Sequence, residues 1–263
     1  MRDPIFKVDT FTDRPFSGNP AGVCLLHSKR PASWMQAIAR EMNVSETAFL
    51  LKRKDKSYTL RWFTPTTEVK LCGHATLASS HILWETGSLR ENEEARFHTL
   101  SGLLIAKKEG DWIELDFPAK AETRTTPSKG LLQALRVRAK YVGRNDSDYL
   151  VEVESERIVR NIAPNFALLG KISTRGVIVT AKSSSKKYDF VSRFFAPAVG
   201  IDEDPVTGSA HSCLGPYWQR KLGRGEFVAY QASSRGGLLK LRVANGRVYI
   251  GGQAVTVLRG YLV

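Results

Sequence analysis

Arg61-Trp-Phe-Thr-Pro65, continued by Glu68-Val-Lys-Leu-Cys-Gly-His-Ala-Thr76, occurs in a second version later in the chain. That version is Arg193-Phe-Phe-Ala-Pro197, followed by Gly200-Ile-Asp-Glu-Asp-Pro-Val-Thr-Gly-Ser-Ala-His211. The two arginines are 132 positions apart, but the turn glycines Gly73 and Gly208 are 135 apart, so the second version carries three extra residues. The larger offset continues downstream, where Gly-Leu-Leu at 102–104 returns at 237–239. This internal repeat predicts a chain made of two similar halves.

Both versions of the repeat read as a strand that ends at a proline, a turn that contains glycine, and a helix that begins after the turn. The first N–H groups of a helix have no partner within it, and the positive end of its dipole lies there, so each turn favours an anion. We expect the two turns to face each other across a cleft between the halves. A small carboxylate-bearing substrate is the ligand that such a cleft would bind.

The two helices that follow these turns predict the architecture. The segment His74–Trp84 has small or apolar residues on most faces, as is typical of a helix surrounded by sheet. Its counterpart, Ser209–Trp218, is interrupted by Gly215-Pro216, so we expect it to be short or kinked there. We therefore predict an α/β (α+β) fold, a pseudo-twofold pair of similar domains, each a curved sheet wrapped around a central helix. An earlier helix over 34–40 would have Ser33 as its N-cap.

Composition narrows the class of protein. The chain has 263 residues, of which 42% are hydrophobic and 25% charged, as in ordinary globular proteins. The net charge is +13, but the basic residues are spread out without interleaved aromatic residues, so we do not expect nucleic acid as a partner.

Three cysteines without a C-x-x-C spacing predict reduced thiols and a cytoplasmic protein. No apolar run approaches the roughly 18 residues of a membrane span, and the start lacks a secretory signal.

Three polar residues of the first half are candidates for a site. His74 stands just after the turn glycine, where the helix dipole keeps an imidazole neutral, although a packing histidine fits as well. Glu46 is the last acidic group before an apolar strand, which suits a partly desolvated acid or base, although a plain turn glutamate has the same pattern. Asn19, within Gly18-Asn-Pro-Ala-Gly22, is either part of a loop at the site or a simple connection.

The turn of the second half offers Asp204, Thr207 and Ser209. These residues suit substrate contacts at a helix start, and they suit helix caps without any function. His211, further along, is interpreted as a packing residue. The sequence contains no zinc-helix spacing, no G-x-S-x-G elbow and no nucleotide-binding glycine motif. Acid/base chemistry without a metal or other cofactor is the class of reaction that remains.

Several motifs give the chain a resemblance to a known family. They are Gly18-Asn-Pro-Ala21, Ser45-Glu-Thr-Ala-Phe49, Arg61-Trp-Phe-Thr-Pro65, Cys72-Gly-His-Ala-Thr76 and Glu203-Asp-Pro-Val-Thr-Gly-Ser-Ala-His211. In this order, over essentially the whole chain, they resemble the PhzF-like (phenazine biosynthesis-like) isomerase family. The resemblance implies the diaminopimelate epimerase-like fold, with a last strand that returns to the first half and the site in the cleft. The segment between the two repeats begins near Ala119, which predicts domains 1–118 and 119–263. It also raises a homodimer and a protein partner as expectations.

The resemblance also implies roles for individual residues. Glu46 would be the general acid/base of a proton shift on the substrate, and the implied catalytic residues are Glu46, His74 and Asp204. The implied substrate-binding residues are Asn19, Cys72, Gly73, Thr207, Gly208 and Ser209. No cofactor is implied.

One departure from the related thiol epimerases concerns the cysteines. Those enzymes use one cysteine from each half, and Cys72 resembles the first of these, but the second turn has no cysteine. A two-thiol mechanism is therefore disfavoured, while a role for Cys72 alone stays open. A non-catalytic binding or scaffold protein that has kept the fold is the alternative to an isomerase, because a fold does not establish an activity.

Overall fold

The computed structural model describes residues 2–263 and forms two compact units. The first unit runs to Asp116 and also includes Gly251–Val263, and the second unit is Phe117–Ile250. Both units are rich in strands and contain few helices. The predicted mixed α/β class is therefore confirmed.

The strands of the first unit are β1 (Pro4–Thr10), β2 (Asn19–Leu26), β3 (Glu46–Lys52), β4 (Tyr58–Phe63), β5 (Glu68–Val69), β6 (Ala95–Thr99), β7 (Gly102–Glu109), β8 (Trp112–Pro118) and β18 (Ala254–Tyr261). They pair in the order β18, β1, β2, β3, β4, β6, β7, β8, while β5 pairs with the end of β4. The pairs β2–β3 and β4–β6 are parallel, and the others are antiparallel.

The second unit repeats this pairing scheme. Its strands are β9 (Thr123–Arg124), β10 (Tyr141–Arg144), β11 (Asp148–Glu152), β12 (Gly176–Lys182), β13 (Phe190–Ala196), β14 (Ile201–Asp204), β15 (Glu226–Gln231), β16 (Gly237–Ala244) and β17 (Arg247–Gly252). They pair in the order β9, β10, β11, β12, β13, β15, β16, while β14 pairs with the end of β13. Here β11–β12 and β13–β15 are the parallel pairs. The strand β9 lies beside β10 as β18 lies beside β1.

The helices are α1 (Ala32–Met42), α2 (Gly73–Glu85), α3 (Leu131–Leu135), α4 (Glu156–Asn161), α5 (Phe166–Leu169) and α6 (Gly208–Leu222), with a 3-10 turn at Pro197–Val199. Among the residues described, no helix combines the length and the apolar character that a bilayer span requires. The prediction that Ser33 caps α1 is wrong, because the helix begins at Ala32 and Pro31 takes the N-cap position. Because the fixed φ of proline suits the entry to a helix, the helix begins two residues earlier than predicted.

The helix α2 is buried on nearly every face. Ten of its thirteen residues are buried, and it packs against β1, β2, β3 and β18. Its buried hydroxyls, on Thr76, Ser79 and Ser80, donate hydrogen bonds to backbone carbonyls four residues back, so no polar cost accompanies their burial. The prediction of a helix surrounded by sheet is confirmed for this unit.

Of the two predictions for α6, a short helix or a kink at Gly215-Pro216, the first is wrong. It runs through Pro216 without interruption for fifteen residues and ends at Gly223, which has a left-handed backbone. A proline cannot donate to the carbonyl four residues before it, here that of Ser212. That carbonyl accepts a hydrogen bond from the N–H of Lys120 at 2.9 Å instead. The lost bond is thus replaced from outside the helix, and the helix continues.

Candidate active site

Glu46 is the first residue of β3 and lies beside Ala21 of β2. The strand β2 opens with Asn19, which is fully buried and whose carbonyl accepts a hydrogen bond from the hydroxyl of Thr10 at 2.9 Å. Gly18, just before it, has a φ of +65°, and a Cβ there would lie 2.0 Å from the carbonyl oxygen of Thr10. Only glycine fits this turn. The Gly-Asn-Pro-Ala segment is therefore a tight entry into the strand that neighbours Glu46.

The start of α2 carries the other predicted residues of this unit. Cys72 takes the N-cap position, and its side chain makes no capping hydrogen bond. Gly73 and His74 are the first two residues of the helix. Because the cap side chain does not bind them, the N–H groups of the first turn are suited to a ligand oxygen.

Glu46, Cys72 and His74 meet at this helix start, although Glu46 is distant from the other two in sequence. Nδ1 of His74 lies 3.4 Å from Sγ of Cys72, and Nε2 lies 3.3 Å from Oε2 of Glu46. One donor atom from each of the three residues can be chosen so that all lie within 4.8 Å of one another. The side chains of His74 and Glu46 are 8% and 14% exposed. The cluster is therefore largely shielded from water.

The imidazole of His74 is neutral in this environment. Burial lowers its pKa to about 4, because desolvation disfavours the imidazolium. The contact with Glu46 is therefore not an ion pair near neutral pH, and its angle is not that of a good hydrogen bond. A thiol proton donated by Cys72 to Nδ1 would leave the ring proton on Nε2, on the side of the Glu46 carboxylate. Burial is the cause that disfavours the imidazolium here, whereas the prediction from the sequence rested on the helix dipole.

In the second unit, Asp204 and Thr207 are joined by a buried amide. The hydroxyl of Thr207 donates to Oδ2 of Asp204 at 2.6 Å. Oε1 of Gln231 accepts from the N–H of Thr207 at 2.9 Å, and Nε2 donates to the carbonyl of Asp204 at 2.8 Å. Thr207 occupies the N-cap position of α6 but makes no capping hydrogen bond with its side chain. Thr207 is therefore the cap residue by position, but its hydroxyl is taken by Asp204 and does not cap the helix.

Ser209 lies in the first turn of α6, after Gly208, beside an arginine that no sequence pattern selects. Nη1 and Nη2 of Arg175 are each 3.1 Å from Oγ of Ser209. The same guanidinium forms a bidentate ion pair with Asp148, whose side chain is 2% exposed. A positive charge is thus held in place beside the N-terminus of α6.

The structure divides the predicted site residues into two groups. Glu46, Cys72, Gly73 and His74 form the group of the first unit, near the entry of Asn19 into β2. Asp204, Thr207, Gly208 and Ser209 form the group of the second unit, joined by Gln231 and Arg175. His211 lies outside this chemistry, since it is fully buried, donates from Nδ1 to the carbonyl of Thr207 at 2.8 Å, and stacks on Phe190. Its prediction as a packing residue agrees with this environment.

Comparisons with known proteins extend over the whole chain. The family model described as phenazine biosynthesis-like protein matches residues 8–260. An uncharacterized isomerase of Halalkalibacterium halodurans is 56% identical over 100% of this chain and 99% of its own length. The crystal structure of a PhzF family protein from Enterococcus faecalis has a TM-score of 0.96 at 41% identity, with 100% of both chains covered.

A more distant similarity concerns the fold alone. A hydroxyproline epimerase of Agrobacterium vitis is 11% identical to this chain and has a TM-score of 0.62, with 100% of this chain and 94% of its own covered. The epimerase-like fold is therefore shared, and the isomerase relatives support an isomerase role. The chain belongs to the phenazine biosynthesis-like (PhzF) protein family.

Proposed function

We propose that this protein is an isomerase that shifts a proton on a small carboxylate-bearing substrate without a cofactor, with Glu46 as the general acid/base. One observation carries the proposal. The carboxylate of Glu46 lies 3.3 Å from the neutral imidazole of His74, at the start of a buried helix. A partly desolvated carboxylate beside a neutral imidazole is suited to taking a proton from carbon and giving it back.

In the proposed reaction, Glu46 removes a proton from a carbon beside an unsaturated or carboxylate-activated centre. The electron pair of the C–H bond moves into that neighbouring system. Glu46, now a neutral acid, returns the proton to another carbon, so substrate and product contain the same atoms and electrons. His74, with its proton on Nε2, orients the carboxylate and stabilises charge that develops near it.

Helix N-termini supply the proposed sites for the carboxylate of the substrate. The N–H groups after Gly73 and after Gly208 follow N-cap residues whose side chains make no capping bond. Arg175 adds a guanidinium beside Ser209. Asp204 as a further catalytic residue, Asn19 as a substrate contact and the cleft between the halves as the location of the site stay predictions from the family resemblance.

The test is incorporation of solvent deuterium. Small unsaturated and α-amino carboxylic acids are incubated with the protein in deuterated water and followed by NMR. We expect wild type to exchange or isomerise at least one of them, and Glu46→Gln to be slower by about two orders of magnitude or more, the scale of losing a general acid/base. The matched control is Glu68→Gln, which neutralises the partly buried carboxylate that pairs with Arg61 in the same unit.

Two outcomes decide between the enzyme and a binding protein. Exchange that is lost in Glu46→Gln and kept in Glu68→Gln, at unchanged thermal stability, assigns the chemistry to Glu46. An acid that binds wild type and Glu46→Gln with equal affinity, and that neither exchanges nor isomerises, identifies a non-catalytic binding protein instead.

A further inference from the structure

Glu46, Cys72 and His74 present an oxygen, a sulfur and a nitrogen donor at one place. The proposed proton shift uses the carboxylate and the imidazole and gives the thiol no step. Zinc sites with one open coordination position are built from three protein ligands drawn from Cys, His and carboxylate side chains. Mg²⁺ and Ca²⁺ prefer sites made of oxygen ligands. The donor set therefore matches a thiophilic divalent cation.

Each neighbouring pair of side chains is spaced as two ligands of such a cation, and the third ligand must move. Tetrahedral coordination at zinc bond lengths separates the ligand atoms by about 3.3 to 3.6 Å. The Nε2–Oε2 separation of His74 and Glu46 is 3.3 Å, and the Nδ1–Sγ separation of His74 and Cys72 is 3.4 Å. A cation takes only one ring nitrogen, so the atoms that span up to 4.8 Å must approach by about an ångström.

Two of the three ligands are held by a rigid element. Cys72 and His74 flank Gly73 at the start of α2, and the N–H and hydroxyl of Thr76 both bind the carbonyl of Cys72. Glu46 is held at the first position of β3. Fixed ligands lose little freedom when a metal binds. The positive end of α2 opposes a cation, but a thiolate and a carboxylate bring two negative charges against it.

We propose that Glu46, Cys72 and His74 form a binding site for Zn²⁺ or a chemically similar thiophilic divalent cation, and that the bound cation inhibits the protein by occupying the Glu46 carboxylate. On binding, the thiol proton of Cys72 is released to the solvent and the sulfur coordinates as thiolate. The binding goes beyond the proposed function and rests on the geometry of the three residues alone. Only the inhibition rests on the proposed role of Glu46.

The test is titration of the reduced protein with Co²⁺, which substitutes for Zn²⁺ and reports its ligands by absorption. We expect one equivalent to bind, with a thiolate-to-cobalt charge-transfer band in the near ultraviolet. Added Zn²⁺ should remove the band and added Mg²⁺ should not. Cys72→Ser should lose the band. Both Cys72→Ser and His74→Asn should weaken Zn²⁺ binding by more than about tenfold, because even loss of a group that only supports a ligand weakens metal binding by about that factor.

The matched control is Cys24→Ala, which removes another buried thiol of the same unit and should keep the band and the affinity. If Cys72→Ser does not fold, His74→Asn decides alone. The proposal is overturned by wild type that binds no Co²⁺, or by a band and a Zn²⁺ affinity that survive in Cys72→Ser and His74→Asn. Because no substrate is needed, this result is independent of the deuterium experiment.

The inhibition has its own readout. With a substrate from the deuterium screen, one equivalent of Zn²⁺ should slow exchange by wild type at least tenfold. For each protein, the exchange rate without Zn²⁺ is divided by the rate with Zn²⁺. This ratio should be smaller for Cys72→Ala than for wild type. An equal ratio in both proteins would place the inhibitory cation elsewhere.

Discussion

Arg193 is the structural counterpart of Arg61, because each guanidinium forms a bidentate ion pair with the acid on the next short strand. Nε and Nη2 of Arg61 donate to Glu68, both at 2.7 Å, and the same atoms of Arg193 donate to Glu203 at 2.7 and 2.8 Å. The first pair is seven positions apart and the second is ten. The 3-10 turn Pro197–Val199 accommodates the three extra residues. Two turns of different length are thus built around the same ion pair.

Replacement of Arg193 should destabilise the protein more than replacement of Arg61. The side chain of Arg193 is 13% exposed against 32% for Arg61, and Arg193 also donates to the carbonyl of Ile162 at 2.7 Å. We expect Arg193→Ala to lower the free energy of unfolding by about 3 kcal/mol and Arg61→Ala by about 1 kcal/mol. Urea denaturation measures both. A larger loss for Arg61→Ala would mean that burial does not set the strength of these pairs.

The sequence was sufficient to predict the repeat and the elements around each turn. Local signals carry that information, since a proline ends a strand, a glycine makes the turn and an apolar segment such as His74–Trp84 forms a buried helix. The continuity of α6 through Pro216 was not predictable. It depends on a hydrogen bond between Lys120 and Ser212, two residues whose contact no local pattern indicates.

The site residues were found mainly through the resemblance, and the structure explains why spacing alone did not suffice. Glu46 is 28 positions before His74, and only the packing of α2 against β3 brings the two side chains to 3.3 Å. Gln231 and Arg175 were missed because a lone glutamine at the end of a strand and a lone arginine before one carry no signal. Their roles arise from tertiary contacts with Thr207 and Ser209.

Gln231 should matter for stability although it lies outside every motif. It is fully buried, and its amide satisfies the N–H of Thr207 and the carbonyl of Asp204. We expect Gln231→Leu, which has similar volume, to lower the free energy of unfolding by about 3 kcal/mol, because the buried N–H of Thr207 and the part-buried carbonyl of Asp204 lose this bond. Gln133→Leu, on the surface of α3, is the control and should change it by less than about 0.5 kcal/mol. Equal effects in denaturation experiments would contradict a bridging role.

Arg175 should contribute to binding of an anion at the start of α6. Its guanidinium lies 3.1 Å from Oγ of Ser209 and is fixed by Asp148. We expect Arg175→Gln to weaken the binding of inorganic phosphate by about tenfold, the scale of one charge-assisted hydrogen bond. Arg138→Gln changes the net charge equally on an exposed segment and should have little effect. Calorimetric titration measures both affinities.

Loss of Arg175 also leaves the buried carboxylate of Asp148 without its partner, so folding must be checked by circular dichroism. If Arg175→Gln unfolds, Ser209→Ala tests the same location without disturbing that ion pair, and it should weaken phosphate binding several-fold. Phosphate that binds all variants equally well would place the anion site elsewhere on the basic surface.

The stability of the protein should fall as the pH falls from neutrality, because two buried histidines cannot take up protons in the folded state. Burial lowers the pKa of His74 and of His211 to about 4 each, whereas an unfolded histidine titrates near its ordinary pKa of about 6.5. Between these values the unfolded chain binds more protons than the folded one, so the free energy of unfolding increases with pH there. The contribution of the two histidines to this free energy is therefore fully present above the unfolded pKa and is lost as the pH drops toward 4.

When the pH falls from about 8 to about 5, the resistance of each histidine to protonation should lower the free energy of unfolding by about 2 kcal/mol. Glu156, whose pKa is lowered to about 2, loses its stabilising effect only below its unfolded value, so it does not contribute in this range. Denaturation curves at several pH values should give a shallower dependence for His211→Leu than for wild type. Phe190→Leu, which removes a ring that stacks on His211, should lower stability while keeping the wild-type slope, because it removes no titrating group. An unchanged slope in His211→Leu would mean that this imidazole accepts a proton in the folded protein and that the surroundings of Thr207 are more open to water than its burial indicates.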